Sequence, residues 1–192
     1  MQKNRFFSLT EIQNETPKAE KVEGVFSTYL NHHLEKISGF NDLVRIPQEG
    51  EIFFLQTVKA FNAFTFIPWV AKHYFIEELF ASTYSISRRV VEALQEMQQA
   101  GKIGQVTLLI SDSMIKRNPV TVDTIEAVAR GNGNFHVKYF WNHSKVCLLK
   151  TAHDHHLIME GSGNWSENAQ LEQYILTNCE AAYNFRKEIF EL

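Results

Sequence analysis

No run of about eighteen apolar residues occurs in this chain, so no membrane-spanning helix is expected. Cysteine is nearly missing. Cys147 and Cys179 are the only two, and neither has a C-x-x-C partner. A zinc site built on cysteine and a disulfide framework are therefore not expected. The start, Met1 to Phe7, leads into polar residues instead of the apolar core of a secretory signal. Two thiols without such a signal fit a reducing compartment, so a cytoplasmic location is expected. A strong overall charge is lacking too. The net charge of −3 gives no global attraction to a polyanion. The charge is unevenly spread, however. Residues 82–150 hold nine Lys and Arg against five Asp and Glu, which suits either a polyanion or an ordinary solvated surface.

What is present is ordinary for a globular protein: 192 residues, 44% apolar and 21% charged. That length supports one domain with a real core and an N-terminal extension. Residues 1–24 read as a polar arm. Val25 to Ile37 has near-helical apolar spacing and is ended by Ser38-Gly39. Ile46 to Gly50 reads as a turn, and Glu51 to Thr57 as a strand. A helix is expected from about Ala60, disturbed at Pro68. The boundary is placed between residues 1–74, an extension packing on the domain, and residues 75–192, the domain itself.

From Phe75 the pattern becomes regular. Ile76 to Tyr84 reads as a strand. Ser87 caps a helix whose apolar face is Val90, Val91, Leu94 and Met97, and Gly101 stops it. Gln105 to Ser111 is a continuous apolar strand of the kind buried on both faces. Thr121 is expected to cap a second helix that ends at Arg130-Gly131. Strands follow at Phe135–Trp141, Ser144–Leu149, His156–Glu160 and Leu171–Leu176. Thr177 and Glu180 form a T-x-x-E capping box for a last helix, to about Phe190. The order is β, α, β, α, several strands, α. It predicts an α/β fold, a mixed β-sheet flanked by helices on both sides.

The chemistry concentrates between Asn142 and Gln173. His143 and Lys145, two apart at the head of an apolar strand, are expected to point to the same face. One hairpin later comes Gly161-Ser162-Gly163-Asn164, then Glu172. An imidazole, an ammonium, an amide, a hydroxyl and glycine backbone N–H groups can then converge on one anion. The set suits a phosphodiester. His143 is expected to be able to attack phosphorus, and Lys145 and Asn164 to stabilise charge. Gly161, Ser162 and Gly163 contact phosphate, and Glu172 is the carboxylate that orients an imidazole. A second H-x-K, His136-Val137-Lys138, has no G-S-x-N of its own. His153, Asp154, His155 and His156 form a His-rich turn, read as a hairpin tip, because no further metal ligands lie at fixed spacing. Tyr84, Trp141 and Trp165 flank strand ends, either to stack on bases or to pack inside.

H-x-K, an apolar strand, G-S-x-N and a following Glu resemble the signature of the phospholipase D superfamily, the HKD phosphodiesterases, over roughly Phe75 to Leu192. The resemblance implies a phospholipase D/nuclease-like sandwich and metal-independent cleavage through a phosphohistidine on His143. It implies no cofactor and no metal. The family's Asp, five residues after the Lys, is Lys150 here. Only one full motif is present, whereas the family's chemistry uses two histidines. Its small single-motif nucleases pair two copies in a homodimer across a two-fold axis. The expected partners are therefore nucleic acid, DNA or RNA, and a second copy of the chain, with no membrane. The alternatives are a catalytically weak nucleic-acid-binding or dimerisation module and, ranked lower, a lipid phosphodiesterase.

Overall fold

Alternating apolar residues are sorted to two faces of one sheet, and that sorting builds the protein. The computed structural model describes residues 42–60, 62–166 and 170–192, together with the backbone of 31–37. Eight strands are described: β1 (Asn31–Ile37), β2 (Glu51–Thr57), β3 (Ile76–Thr83), β4 (Ile103–Ser111), β5 (Phe135–Phe140), β6 (Val146–Thr151), β7 (His156–Gly161) and β8 (Gln173–Asn178). They form one sheet in the order β1-β2-β8-β7-β6-β3-β4-β5. The β3-β4-β5 end is parallel, and so is the β1–β2 pair. The central pairs from β2 through β8, β7 and β6 to β3 are antiparallel.

Five α-helices are described against the sheet: α1 (Phe66–Ala71), α2 (Arg88–Gln99), α3 (Ser113–Arg117), α4 (Pro119–Gly131) and α5 (Glu180–Lys187). Leu79 and Ala81 of β3, Val106, Leu108 and Ile110 of β4, Cys147 and Leu149 of β6, and Leu157 and Met159 of β7 face one core, which α1, α2 and α4 close. The intervening residues Phe80, Leu109, Val146, Leu148 and Ile158 face a second core, closed by Tyr183 of α5 and by Phe190. A period of two thus divides each central strand between two apolar layers. Both faces are buried, which is why these strands read as near-continuous apolar runs. The expected α/β architecture, with helices on both sides of a mixed sheet, is the one observed.

Several local expectations hold closely. β2 has the expected limits. Ser87 accepts from the Val90 N–H, and Gly101 lies at φ 66 just beyond α2. Others are corrected. Residues 31–37 are a strand, not the second half of a helix. They pair in parallel with the whole of β2, from Asn31↔Glu51 to Ile37↔Thr57. The edge of β2 supplies partners for the backbone groups that face it, and a short helix with weak spacing is marginal by comparison. Residues 1–30 and 38–41, with the proposed arm, the first half of that helix and its Ser38-Gly39 stop, lie outside the described residues. Near Pro68 the chain forms a 3-10 turn, Ala63–Thr65, with the Phe64 N–H bonded to Asn62 Oδ1, and then α1. Pro68 falls in the first turn of α1, where its missing N–H costs nothing.

The fourth helix begins at Pro119 and not at Thr121. Asn118 accepts from the Thr121 N–H at 3.3 Å, and proline occupies the first turn. The Thr177 capping box does not form. Thr177 and Asn178 end β8, and the Thr177 hydroxyl donates to Glu51 O at 2.7 Å. Cys179 stands at the N-cap without a side-chain bond, and a 3-10 turn, Glu188–Phe190, follows α5. β6 starts at Val146 and not at Ser144, which bears directly on the site.

Candidate active site

The C-terminal ends of β3, β4, β5 and β7 and the N-terminal ends of β6 and β8 lie at one end of the sheet, as their pairing requires. That end gathers Tyr84, Arg117, His143, Lys145, Gly161 to Asn164 and Glu172. In open α/β sheets, strand C-terminal ends are the usual place for ligands.

His143 and Lys145 stand in the segment before β6, not on a strand face as their spacing predicts. Asn142 is the reason. Its Oδ1 accepts from the backbone N–H of Ser144 at 2.8 Å and from its hydroxyl at 2.7 Å. This Asx-type turn takes the place of the strand's first residues. The Asn142 amide donates to Ser82 Oγ (2.8 Å) and Leu109 O (3.3 Å), and the hydroxyls of Ser82 and Ser144 bond to each other. Ser82 is 1% exposed, so the turn is pinned to the buried end of β3. On this base the Lys145 ammonium reaches back to His143, 3.0 Å from its carbonyl oxygen and 3.3 Å from ring Nδ1. The two side chains meet despite the altered backbone. His143 is exposed and Lys145 half-buried. Burial lowers the Lys145 pKa from its ordinary value, and the charges of Glu172 and then Tyr84 oppose that shift.

The G-S-G-N segment is fixed from two sides. The Gly161 N–H donates to Lys145 O (3.3 Å) and the Ser162 N–H to Gln173 O (3.0 Å), so both amides serve the sheet. Gly161 is needed for another reason. A Cβ there would lie 2.2 Å from Gln173 O and 2.4 Å from the Tyr174 ring. The Ser162 hydroxyl donates to the Glu172 carboxylate and accepts from the Gln173 N–H. On the other side, Thr83 Oγ1 donates to Asn164 Oδ1 at 3.5 Å, and Ser85 and Ser166 bond through their hydroxyls at 2.7 Å. Gly163 is buried. With Lys145, Gly161, Ser82, Trp165 and Tyr174 it lines an interior recess of about 10 Å³, room for one water at most. Glu172 is held at its backbone by Thr57, whose hydroxyl and N–H both bond to it (2.7 and 2.9 Å).

Lysine at position 150, where the resemblance expects an acid, lies on β6 and pairs with Glu77 at 3.7 Å. Trp165 is 3% exposed and packs edge-on to Phe64 at 5.5 Å, so it belongs to the core. Trp141 is 81% exposed. The His153 and His155 rings pack against Tyr74 at 5.3 and 4.8 Å in the β6–β7 turn. No group of three or more His, Cys, Asp and Glu side chains placed to hold a metal ion occurs among the described residues. No helix there is long and apolar enough to cross a membrane.

Sequence reading did not single out Ser82, Asn142 or Arg117. Asn142 before a Ser at i+2 is a turn signal that could have been read. Ser82 and Arg117 carry no spacing signal; only the topology brings them here.

No family model matches the chain, and no curated protein sequence matches it. Among solved structures the fold is similar to that of polyphosphate kinase from Porphyromonas gingivalis, with a TM-score of 0.50 and 14% identity. The match covers 67% of this chain and 23% of that chain, so the present chain spans less than a quarter of the protein it resembles. At that identity the likeness is one of fold. It corrects the resemblance to single-motif HKD nucleases of the phospholipase D superfamily. The structure matched is a kinase, and no family model supports membership drawn from the H-x-K and G-S-x-N patterns.

Proposed function

We infer that the chain is a metal-independent phosphodiesterase acting on nucleic acid, with His143 as nucleophile. One observation carries the reading: an exposed imidazole with a lysine ammonium 3.3 Å from its ring, at the end of the sheet where a Ser162–Glu172 pair and Asn164 also stand. A phosphate seated there would meet a nucleophile and a fixed cation together. A His143 ring nitrogen attacks phosphorus, the bond to the leaving oxygen breaks, and that oxygen takes a proton. Water then displaces the histidine, returning the ring and releasing the phosphate product. The proton needs an acid beyond the residues named, and the His143 of a second copy across a two-fold axis supplies it in this proposal. The shared fold with a polyphosphate kinase supports phosphoryl transfer as the broader class, in which hydrolysis is the case with water as acceptor.

The test is digestion of single- and double-stranded DNA and RNA in excess chelator, comparing the wild type with His143→Ala, alongside molecular mass in solution. Cleavage by a dimeric wild type, lost by several orders of magnitude in the variant, is expected. Equal activity in both, or activity removed by chelator, overturns the reading. Binding without turnover at any pH would instead leave a nucleic-acid-binding module.

A further inference from the structure

Beside His143 lies a cation that no motif marks. Arg117, in the last turn of α3, sets its guanidinium over the Tyr84 ring, 4.3 Å from the centroid. The same Tyr84 ring meets the His143 imidazole with centroids 4.8 Å apart and planes inclined at 48°. Guanidinium and imidazole therefore both contact one aromatic ring. Three hydrogen bonds hold the arginine: Nε and Nη2 donate to Ser113 Oγ at 3.3 and 3.0 Å, and Nη2 donates to Tyr84 O at 3.3 Å. Ser113 Oγ is itself bonded to the buried Ser111 hydroxyl at 2.8 Å. Nη1 makes no hydrogen bond to a described residue, and no described Asp or Glu forms an ion pair with Arg117. A planar cation preset by a ring and three bonds, exposed and without an acidic partner among the described residues, binds an anion with little further loss of side-chain freedom.

We propose that Arg117 is a substrate-binding residue that takes the phosphate next to the one seated at His143 and Lys145, so that the substrate is a single-stranded oligonucleotide with at least two consecutive phosphates. The inference rests on reading His143 as the phosphodiester site. Contacts of 4.3 and 4.8 Å to the same ring keep guanidinium and imidazole within about 9 Å of each other, a span that neighbouring phosphates along a flexible strand can bridge. The same sheet end carries Phe140 and Trp141, 52% and 81% exposed, immediately before the turn that presents His143. Exposed aromatic faces stack on unpaired bases, whereas the bases of a duplex are already stacked.

The experiment uses the full chain. Binding of a fluorescent short single-stranded oligonucleotide is followed by anisotropy over a series of salt concentrations, in a His143→Ala background that prevents cleavage. Arg117→Ala should weaken binding about ten- to a hundredfold. It should also lower the salt slope by about one. Arg117→Lys should restore the slope but only part of the affinity, because an ammonium loses the planar stack. In turnover, Arg117→Ala should cost at least about tenfold more kcat/KM on the oligonucleotide than on bis(4-nitrophenyl) phosphate, a diester with no neighbouring phosphate, chiefly through KM. Unchanged affinity and slope, or equal losses on both substrates, overturns the assignment. The two readings fail separately. A wild type that turns over neither substrate, while Arg117→Ala still weakens binding, removes hydrolysis and keeps the arginine site. A wild type that cleaves, with Arg117→Ala indistinguishable from it, does the reverse.

Discussion

The tripeptide H-x-K occurs twice within ten residues, and the two copies behave differently. In His136-Val137-Lys138 the residues lie on β5, the last strand of the sheet. There the Lys138 ammonium leaves its histidine and donates to the backbone oxygens of Phe190 and Leu192, at 2.7 and 2.9 Å. It ties the C-terminal turn to the sheet. In His143-Ser144-Lys145 the residues occupy a turn pinned by Asn142 and Ser82, and the lysine folds back on its own histidine. Spacing alone therefore carries no chemistry. What distinguishes the second copy is its backing: a G-S-G-N segment whose first amide bonds Lys145 O, and a carboxylate whose charge acts on the same lysine.

The largest expected effect tests the contrast directly. His143→Ala should lower chelator-resistant cleavage by at least about a thousandfold, while His136→Ala stays within about twofold. Equal losses would erase the distinction. Next comes the backing. Gly161→Ala drives a Cβ into Gln173 O and the Tyr174 ring and should cost about 3 kcal/mol in urea-unfolding stability. A Cβ at Gly131, at the end of α4, meets nothing within 4 Å, so Gly131→Ala should fall within about 0.5 kcal/mol of the wild type. A smaller effect separates the lysines. Lys138→Ala should lose about 1 kcal/mol by the same measurement, for the two backbone contacts it makes.

Lys145 should show the opposite sign. Burial lowers its pKa, so folding disfavours its charged form; the penalty is full below the folded pKa and fades as pH rises from there to the unfolded value. Lys145→Met at neutral pH should therefore leave the thermal midpoint unchanged or raise it, while cleavage falls. The smallest effect is a displacement of the pH profile. Glu172 raises the Lys145 pKa, so Glu172→Gln should move the alkaline limb of kcat/KM to lower pH. A shift to higher pH would show that the carboxylate acts elsewhere.

Much of the scaffold was legible because period and punctuation agree. The continuous apolar run of β4 predicted a strand buried on both faces, and Ser87 and Gly101 bracketed α2 as their chemistry requires. The misreadings share a cause. Residues 31–37 became a strand through pairing with β2, a partner whose edge no local pattern announces. Thr121 looked like a cap, but Asn118 before a proline is the better one, and Thr121 is buried instead. Around the candidate site the order of the residues could be read from the chain, while their geometry could not. The first strand residues yielded to the Asx turn of Asn142, and the glycine at 161 answers to the Tyr174 ring. Arg117 could not be seen at all, because only the parallel pairing of β3 with β4 brings the segment after β4 to Tyr84.

The anchoring of Glu172 to Thr57 has a kinetic consequence. The bond from the Glu172 N–H to the Thr57 hydroxyl joins residues 115 apart in the chain, whereas the β6–β7 hairpin closes over a short turn. Contacts of such separation demand a larger loss of chain entropy before they return any stabilisation. On refolding, the hairpin and the β3-β4-β5 end can form before β2 and β8 meet. The carboxylate beside Lys145 would then be among the last groups to arrive. Recovery of activity should lag behind recovery of the far-ultraviolet signal, and slowing the β2–β8 encounter should lengthen that lag without changing the final yield.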